Sequence, residues 1–182
     1  MRGGKLIFIL GGARSGKSMF AEELAERFNQ DVVYIATFPK NDDLEMIERI
    51  KMHKKMRNCS WKTLEIDNID EIILNIKKNK IKNSVIIIEC LTILVSNLLM
   101  NDKTDKIIIN KIHELIDFIK NNNTGNIYII VSNEVGQGIV PKNKLARNYR
   151  DILGKVNQKI AKNADEFYMI FAGIPVEIKK LS

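Results

Sequence analysis

Residues 11 to 18 have the types and the spacing to hold a polyphosphate. Gly11, Gly12, Ala13, Arg14, Ser15, Gly16, Lys17 and Ser18 fit G-x-x-x-x-G-K-[ST], a pattern in which glycines let successive backbone N–H groups curl around phosphate oxygens. A helix starting at Lys17 would add the positive end of its dipole, Lys17 would reach the β- and γ-phosphates, and Ser18 would offer a hydroxyl to magnesium. A nucleoside triphosphate is the implied ligand. Such a loop works with an acid at the end of a neighbouring strand. Glu89 stands there, directly after the apolar run Ser84 to Ile88. Being longer than the more usual aspartate, it acts on the metal through water, serves as a base, or caps the helix that follows.

A second constellation is cationic. Arg49, His53 and Arg57 recur every four residues, which places them on or near one face of a helix, with Lys54 beside them. Neighbouring cations disfavour imidazolium, so His53 would keep a neutral nitrogen able to attack phosphorus, while the same cations stabilise charge on a triphosphate. The alternative for an isolated histidine in a charged helix is plain solvated surface. His113, inside an apolar-striped helix, reads as structural.

The elements that must position these groups alternate in type. Lys5 to Leu10 reads as a buried strand ending at two glycines, and Phe20, Leu24 and Phe28 give the following segment helical spacing. Asp31 to Thr37 reads as a strand. Asp42 with Glu45 forms a capping-box signal for a helix over 43–56. A short strand is expected at Trp61 to Ile66, a helix at Ile69 to Ile76, a strand at Ser84 to Ile88 and a helix at Leu91 to Met100. The stripe Ile108, Ile112, Leu115, Ile116, Ile119 predicts a helix over Lys106 to Lys120. After a strand at Ile127 to Val131 comes an irregular segment, Asn133 to Pro141. A last helix with Leu145, Tyr149, Ile152, Val156 and Ile160 on one face follows, then strands at Phe167 to Phe171 and Val176 to Ile178. Strands alternating with helices predict an α/β fold whose mainly parallel sheet is flanked by helices.

Composition narrows the class further. The chain has 182 residues, 45% hydrophobic and 28% charged, with 10 Gly and 3 Pro, which excludes disordered and collagen-like chains and suits one domain over residues 1–182. No apolar run approaches the ~20 residues of a membrane-spanning helix. Cys59 and Cys90 lack zinc-ligand neighbours, so a reducing, cytoplasmic setting without a structural metal is expected. The formal charge of +7 is compatible with an anionic ligand. Its lysines are scattered and few aromatics interleave them, so the excess reads as a solvated coat and no nucleic-acid partner is expected.

Beyond these separate signals, the motifs occur together and in order. Gly11 to Ser18 is followed by Tyr34 to Thr37, Arg49 to His53, Trp61 to Glu65 and Glu89 to Thr92. Then come Asn133 to Pro141 (NEVGQGIVP), Leu145 to Arg147, Arg150 with Asp151, and Val156 to Gln158. At this spacing, over nearly the whole chain, the sequence resembles the bifunctional adenosylcobinamide kinase / adenosylcobinamide-phosphate guanylyltransferase family. The resemblance implies a RecA-like phosphate-loop NTPase domain and a cytoplasmic homotrimer with sites near subunit boundaries. It implies phosphorylation of adenosylcobinamide by ATP or GTP, then transfer of GMP from GTP to that phosphate with release of pyrophosphate. His53 would carry the GMP. Some members have two adjacent histidines where this chain has Met52 and His53, so one nucleophile candidate remains. GTP contacts would fall on Gly11 to Ser18, on Ala36, Thr37 and Phe38, on Lys54, Lys55, Met56 and Arg57, and on Glu65 and Glu89. Ser18 and Glu89 would serve Mg2+. Asn133 to Pro141 either lines the corrinoid or nucleotide site or is simply a structured loop.

Overall fold

The sheet edge that receives these motifs is built from seven strands in the order β3-β2-β4-β5-β1-β6-β7. The computed structural model describes residues 3–38, 48 and 58–180. The strands are β1 (Lys5–Gly11), β2 (Asp31–Ala36), β3 (Lys62–Glu65), β4 (Ser84–Glu89), β5 (Ile127–Asn133), β6 (Glu166–Phe171) and β7 (Ile174–Lys180). The described helices are α1 (Lys17–Glu26), α2 (Ile69–Lys78), α3 (Leu91–Met100), α4 (Asp105–Asn121) and α5 (Lys144–Asn163). Every pairing is parallel except that of β7 with β6. The mainly parallel α/β class expected from the alternation is therefore the one observed. The expected 43–56 helix lies outside the described residues, as do His53 and Lys54 to Arg57; within it only Glu48 is described, helical and exposed.

Side chains alternate across a strand, and β1 uses both faces. Leu6, Phe8 and Leu10 pack into a core shared with α2, α3, α4 and α5. Ile7 and Ile9 join Phe20, Ala21, Leu24 and Ala25 of α1 on the opposite face. A strand buried on both sides needs no polar alternation, which is why β1 and β4 read as continuous apolar runs. Helix starts follow the chemistry of their caps: Asn68 accepts from the Asp70 and Glu71 N–H groups, and Asn143 from those of Leu145 and Ala146.

Boundaries shifted modestly. The carboxyl ends of β1, β4 and β5 each run into their motif residue, taking Gly11, Glu89 and Asn133 into the sheet. The last strand is longer than expected, because pairing with β6 satisfies its backbone through Pro175 and Gly173 supplies the left-handed turn (φ 84°). His113 is corrected: it stands on the exposed face of α4, its Nδ1 3.9 Å from Asp117 Oδ2, not among the packed residues. The spacing of the stripe Ile108, Ile112, Ile116 puts position 113 on the outer side of the same helix.

Candidate nucleotide site

Strand register brings the polar ends together. Ala36 of β2 lies opposite Glu89 of β4, Glu89 opposite Val131 of β5, and Gly11 of β1 opposite Asn133. In an open parallel sheet, ligands bind beyond the carboxyl ends of the strands. That edge here holds the glycine-rich loop, Glu89, Ala36 and Asn133 on adjoining strands.

The loop has the backbone its pattern requires. Gly16 precedes α1 at φ 91°, and a Cβ there would stand 3.2 Å from Gly173 Cα, so only glycine fits both the dihedral and the contact. A Cβ on Gly11 would fall 2.5 Å from Ser15 Oγ and 3.0 Å from the Ile170 carbonyl oxygen. The Gly173 N–H donates to the Ser15 carbonyl at 2.8 Å, tying the β6–β7 turn to the loop. Lys17 Nζ donates to the Gly12 carbonyl at 3.1 Å, across the loop mouth. Burial lowers the Lys17 pKa, and the nearby Cys90 and Glu89 partly offset that shift.

Glu89 is buried, and its two oxygens face two hydroxyls. Ser18 Oγ donates to Oε1, and Tyr34 Oη donates to Oε2 at 2.5 Å. The helix-cap alternative for Glu89 does not hold: Cys90 is the N-cap of α3, with no side-chain cap there. A hydroxyl and a carboxylate in contact beside a phosphate loop form a pair of hard oxygen donors that fits Mg2+, which takes its remaining ligands from phosphate and water. Among the described residues no cluster of three His, Cys, Asp or Glu side chains offers an all-protein cage.

Thr37 locks the neighbouring strand end in place. It is fully buried; its Oγ1 accepts from the Cys90 N–H at 2.6 Å and donates to the Cys90 carbonyl at 2.9 Å. The Thr37 N–H donates to the Glu89 carbonyl and the Ile66 N–H to that of Ala36. Ala36 and Thr37 are thus joined to Glu89 as one rigid edge, with Phe38 next in the chain and exposed Glu65 ending the adjacent β3. Cys90 is buried, and burial first and the Glu89 charge second push its thiol up to about 11. It is no nucleophile at neutral pH.

The irregular segment after β5 is ordered by polar contacts. Glu134 N–H donates to the Gly11 carbonyl, and Asn133 N–H to Thr92 Oγ1 at 2.9 Å. Arg150 donates to the Gly136 carbonyl, and Arg147 to those of Pro141 and Lys142. Asn157 links Ser132 to the Asn133 carbonyl. Sequence reasoning did not single out Tyr34 and Thr92 as site residues. For Tyr34 the available signal was a hydroxyl inside a buried aliphatic strand, which must find a partner; Thr92, in the first turn of α3, carried no such signal.

Fold and site define a phosphate-loop α/β nucleotide-binding protein. Two solved structures share the fold: flagellar accessory protein FlaH from Methanocaldococcus jannaschii (TM-score 0.57, 17% identity, covering 99% of this chain and 80% of that one) and a protein from Pyrococcus horikoshii OT3 (TM-score 0.62, 10% identity, covering 100% and 89%). Those likenesses concern the fold alone. The family model "Cobinamide kinase / cobinamide phosphate guanyltransferase" matches residues 7–178, and the chain belongs to that family of enzymes. Bifunctional adenosylcobalamin biosynthesis protein CobU of Salmonella typhimurium is 40% identical, with 96% of this chain and 99% of that protein covered. CobU of Escherichia coli K12 is 38% identical at the same coverage, and CobP of Pseudomonas aeruginosa 36% identical, covering 94% and 95%.

Proposed function

We propose that this chain, one unit over residues 1–182, phosphorylates adenosylcobinamide with ATP or GTP and then transfers GMP from GTP through a guanylyl-histidine. The products are adenosyl-GDP-cobinamide and pyrophosphate. The observation that carries the nucleotide chemistry is the convergence of Lys17, Ser18 and buried Glu89 at the sheet's carboxyl edge. Family membership supports the two acceptors and the order of the two reactions.

In the kinase step the loop from Gly11 to Ser18 holds the donor phosphates and Lys17 offsets charge on the transferring group. The cobinamide hydroxyl attacks the γ-phosphorus in line with the departing diphosphate. Ser18 and Glu89 would hold Mg2+, which when bound neutralises phosphate charge. In the second step a neutral nitrogen of His53 attacks the α-phosphorus of GTP, a P–N bond forms and pyrophosphate leaves. An oxygen of the cobinamide phosphate then attacks that phosphorus, the P–N bond breaks and His53 is released. Ala36, Thr37, Phe38 and Glu65, with Lys54, Lys55, Met56 and Arg57, would contact the GTP of this step.

The covalent intermediate is the sharpest test. Incubation with magnesium and GTP labelled at the α-phosphate is expected to give an acid-labile GMP adduct mapping to His53 by peptide mass. His53→Ala is expected to lose the adduct and guanylyl transfer while keeping phosphorylation. The reverse pattern would exchange the role assigned to His53 for one in the kinase step.

A homotrimer, resident in the cytoplasm, belongs to the same reading. No described helix is long and apolar enough to cross a membrane. Ile174 and Val176, on one face of the edge strand β7, are 66% and 41% exposed, and Ile178 beyond them is 55% exposed, so the edge carries exposed apolar side chains of the kind that subunit contacts cover. Light scattering is expected to return three chain masses, and a lower mass for Val176→Lys. A monomeric wild-type protein would remove the trimer from this account.

A further inference from the structure

The phosphate loop has two flanks, and the residues above use only one of them. Glu89, Ala36 and Thr37 lie toward β4 and β2, while β6 adjoins β1 on the other side. There a cleft of about 330 Å3 adjoins the loop at Gly12 to Ser15. Its β6 side includes Met169, Ile170 and Phe171, Glu134 and Gln137 come from the segment after β5, and the loop itself contributes Arg14. From this juxtaposition we infer that the cleft receives the purine base of the kinase donor, so that one phosphate loop serves two nucleotide orientations, one on each flank. The inference rests on the bifunctional reading above and adds to it a base site that the proposed GTP contacts do not include.

Size and chemistry select this occupant. The cleft lies near the small end of the ~300–1,000 Å3 range of small-molecule sites, which suits a base with part of its ribose and excludes a corrin macrocycle. An apolar side presented chiefly by Phe171 and facing a polar one matches a purine, whose faces stack and whose edge carries donors and acceptors. Phe171 ends β6 and is 52% exposed, so it offers an aromatic surface on which a base can stack. Glu134 and Gln137 supply a carboxylate and a carboxamide for the base edge. Glu134 is held there, since its Oε1 accepts from the Gly136 N–H and its own N–H donates to the Gly11 carbonyl. The neighbouring β6–β7 turn is fixed to the loop by the bond from Gly173 to Ser15. Both sides are therefore positioned relative to the phosphates before any ligand arrives, and a preformed base site gains affinity for that reason.

The test compares a nucleotide with its phosphates alone. Calorimetric titration of the His53→Ala chain with ADP and with inorganic tripolyphosphate, both with magnesium, separates the base from the loop. Phe171→Ala and the cleft-filling Gln137→Trp are each expected to weaken ADP about tenfold, the effect of losing one base stack. Tripolyphosphate affinity should stay unchanged. In the chain that retains His53, the same substitutions should raise the KM for ATP in phosphorylation and leave the rate of GMP adduct formation unaltered. Unchanged ADP binding in both variants would overturn the base site. Equal losses for ADP and tripolyphosphate would overturn it too, since the substitutions would then act through the loop. A parallel fall in adduct formation would overturn the division between flanks. Failure of the parent chain to bind tripolyphosphate at all would mark the phosphate-loop reading itself as wrong, and the inference would fall with it.

Discussion

Replacing Lys17 by methionine is expected to lower phosphorylation of the corrinoid by about 10²–10³-fold, the usual loss when one preorganised cationic or N–H donor is taken from developing charge. The fold should remain intact. Lys17 crosses the loop to the Gly12 carbonyl, so its ammonium is already placed over the phosphate mouth, and methionine keeps the length while removing the charge. Adduct formation from GTP should fall as well, because the same loop would hold the phosphates of both donors. Stability is expected to move the other way. The folded protein lowers the Lys17 pKa from its ordinary 10.5, chiefly through burial, so near that range the unfolded chain binds more protons than the folded one. A charged Lys17 therefore costs stability below its folded pKa, and the cost disappears as pH rises through the lowered value and past 10.5. Thermal melts at neutral pH should find Lys17→Met at least as stable as the parent, with any advantage shrinking in alkali. A variant that lost activity only in step with a lowered Tm would show that Lys17 is merely structural.

Sequence made the loop and its acid legible because local rules dictate both. Gly16 is needed at a positive φ against Gly173, and Glu89 follows a short run of β-branched residues, the composition and length of a buried strand. What held Glu89 in place was less visible. Tyr34 lies 55 positions away and becomes its neighbour only through the β2–β4 register. Helix periodicity likewise exposes the core stripe of α4 and sets His113 on its outer side; reading His113 as structural took membership of the helix for membership of its packed face. The segment after β5 was read as irregular, and it lacks helix and strand. Its order comes from Arg147 and Arg150 reaching back from α5 to its carbonyls, contacts that no local pattern encodes. The flank of β6 carries no motif at all. Gln137 belongs to the Asn133 to Pro141 block, but Phe171 is an ordinary residue in sequence and becomes notable only when topology sets it beside the loop.

Glu89 separates chemistry from structure through a pair of substitutions. Glu89→Gln is expected to reduce phosphorylation by about 10²–10³-fold, since it removes the anionic donor in contact with Ser18 that would hold a divalent cation there. It should fold normally: a carboxamide has nearly the shape of the carboxylate, and the hydroxyls of Ser18 and Tyr34 can turn to accept as well as donate. Glu89→Ala deletes the acceptor that both hydroxyls share at a buried position, and should additionally cost about 1–3 kcal/mol of stability. Chemical denaturation reads that difference directly, and a direct assay of cobinamide phosphate reads the activity. Loss of activity in Gln at unchanged stability places the negative charge in the reaction. Near-normal turnover in Gln, with loss confined to Ala, would instead assign Glu89 to holding β2 and α1 together and send the search for the metal's acidic partner elsewhere along the sheet's carboxyl edge.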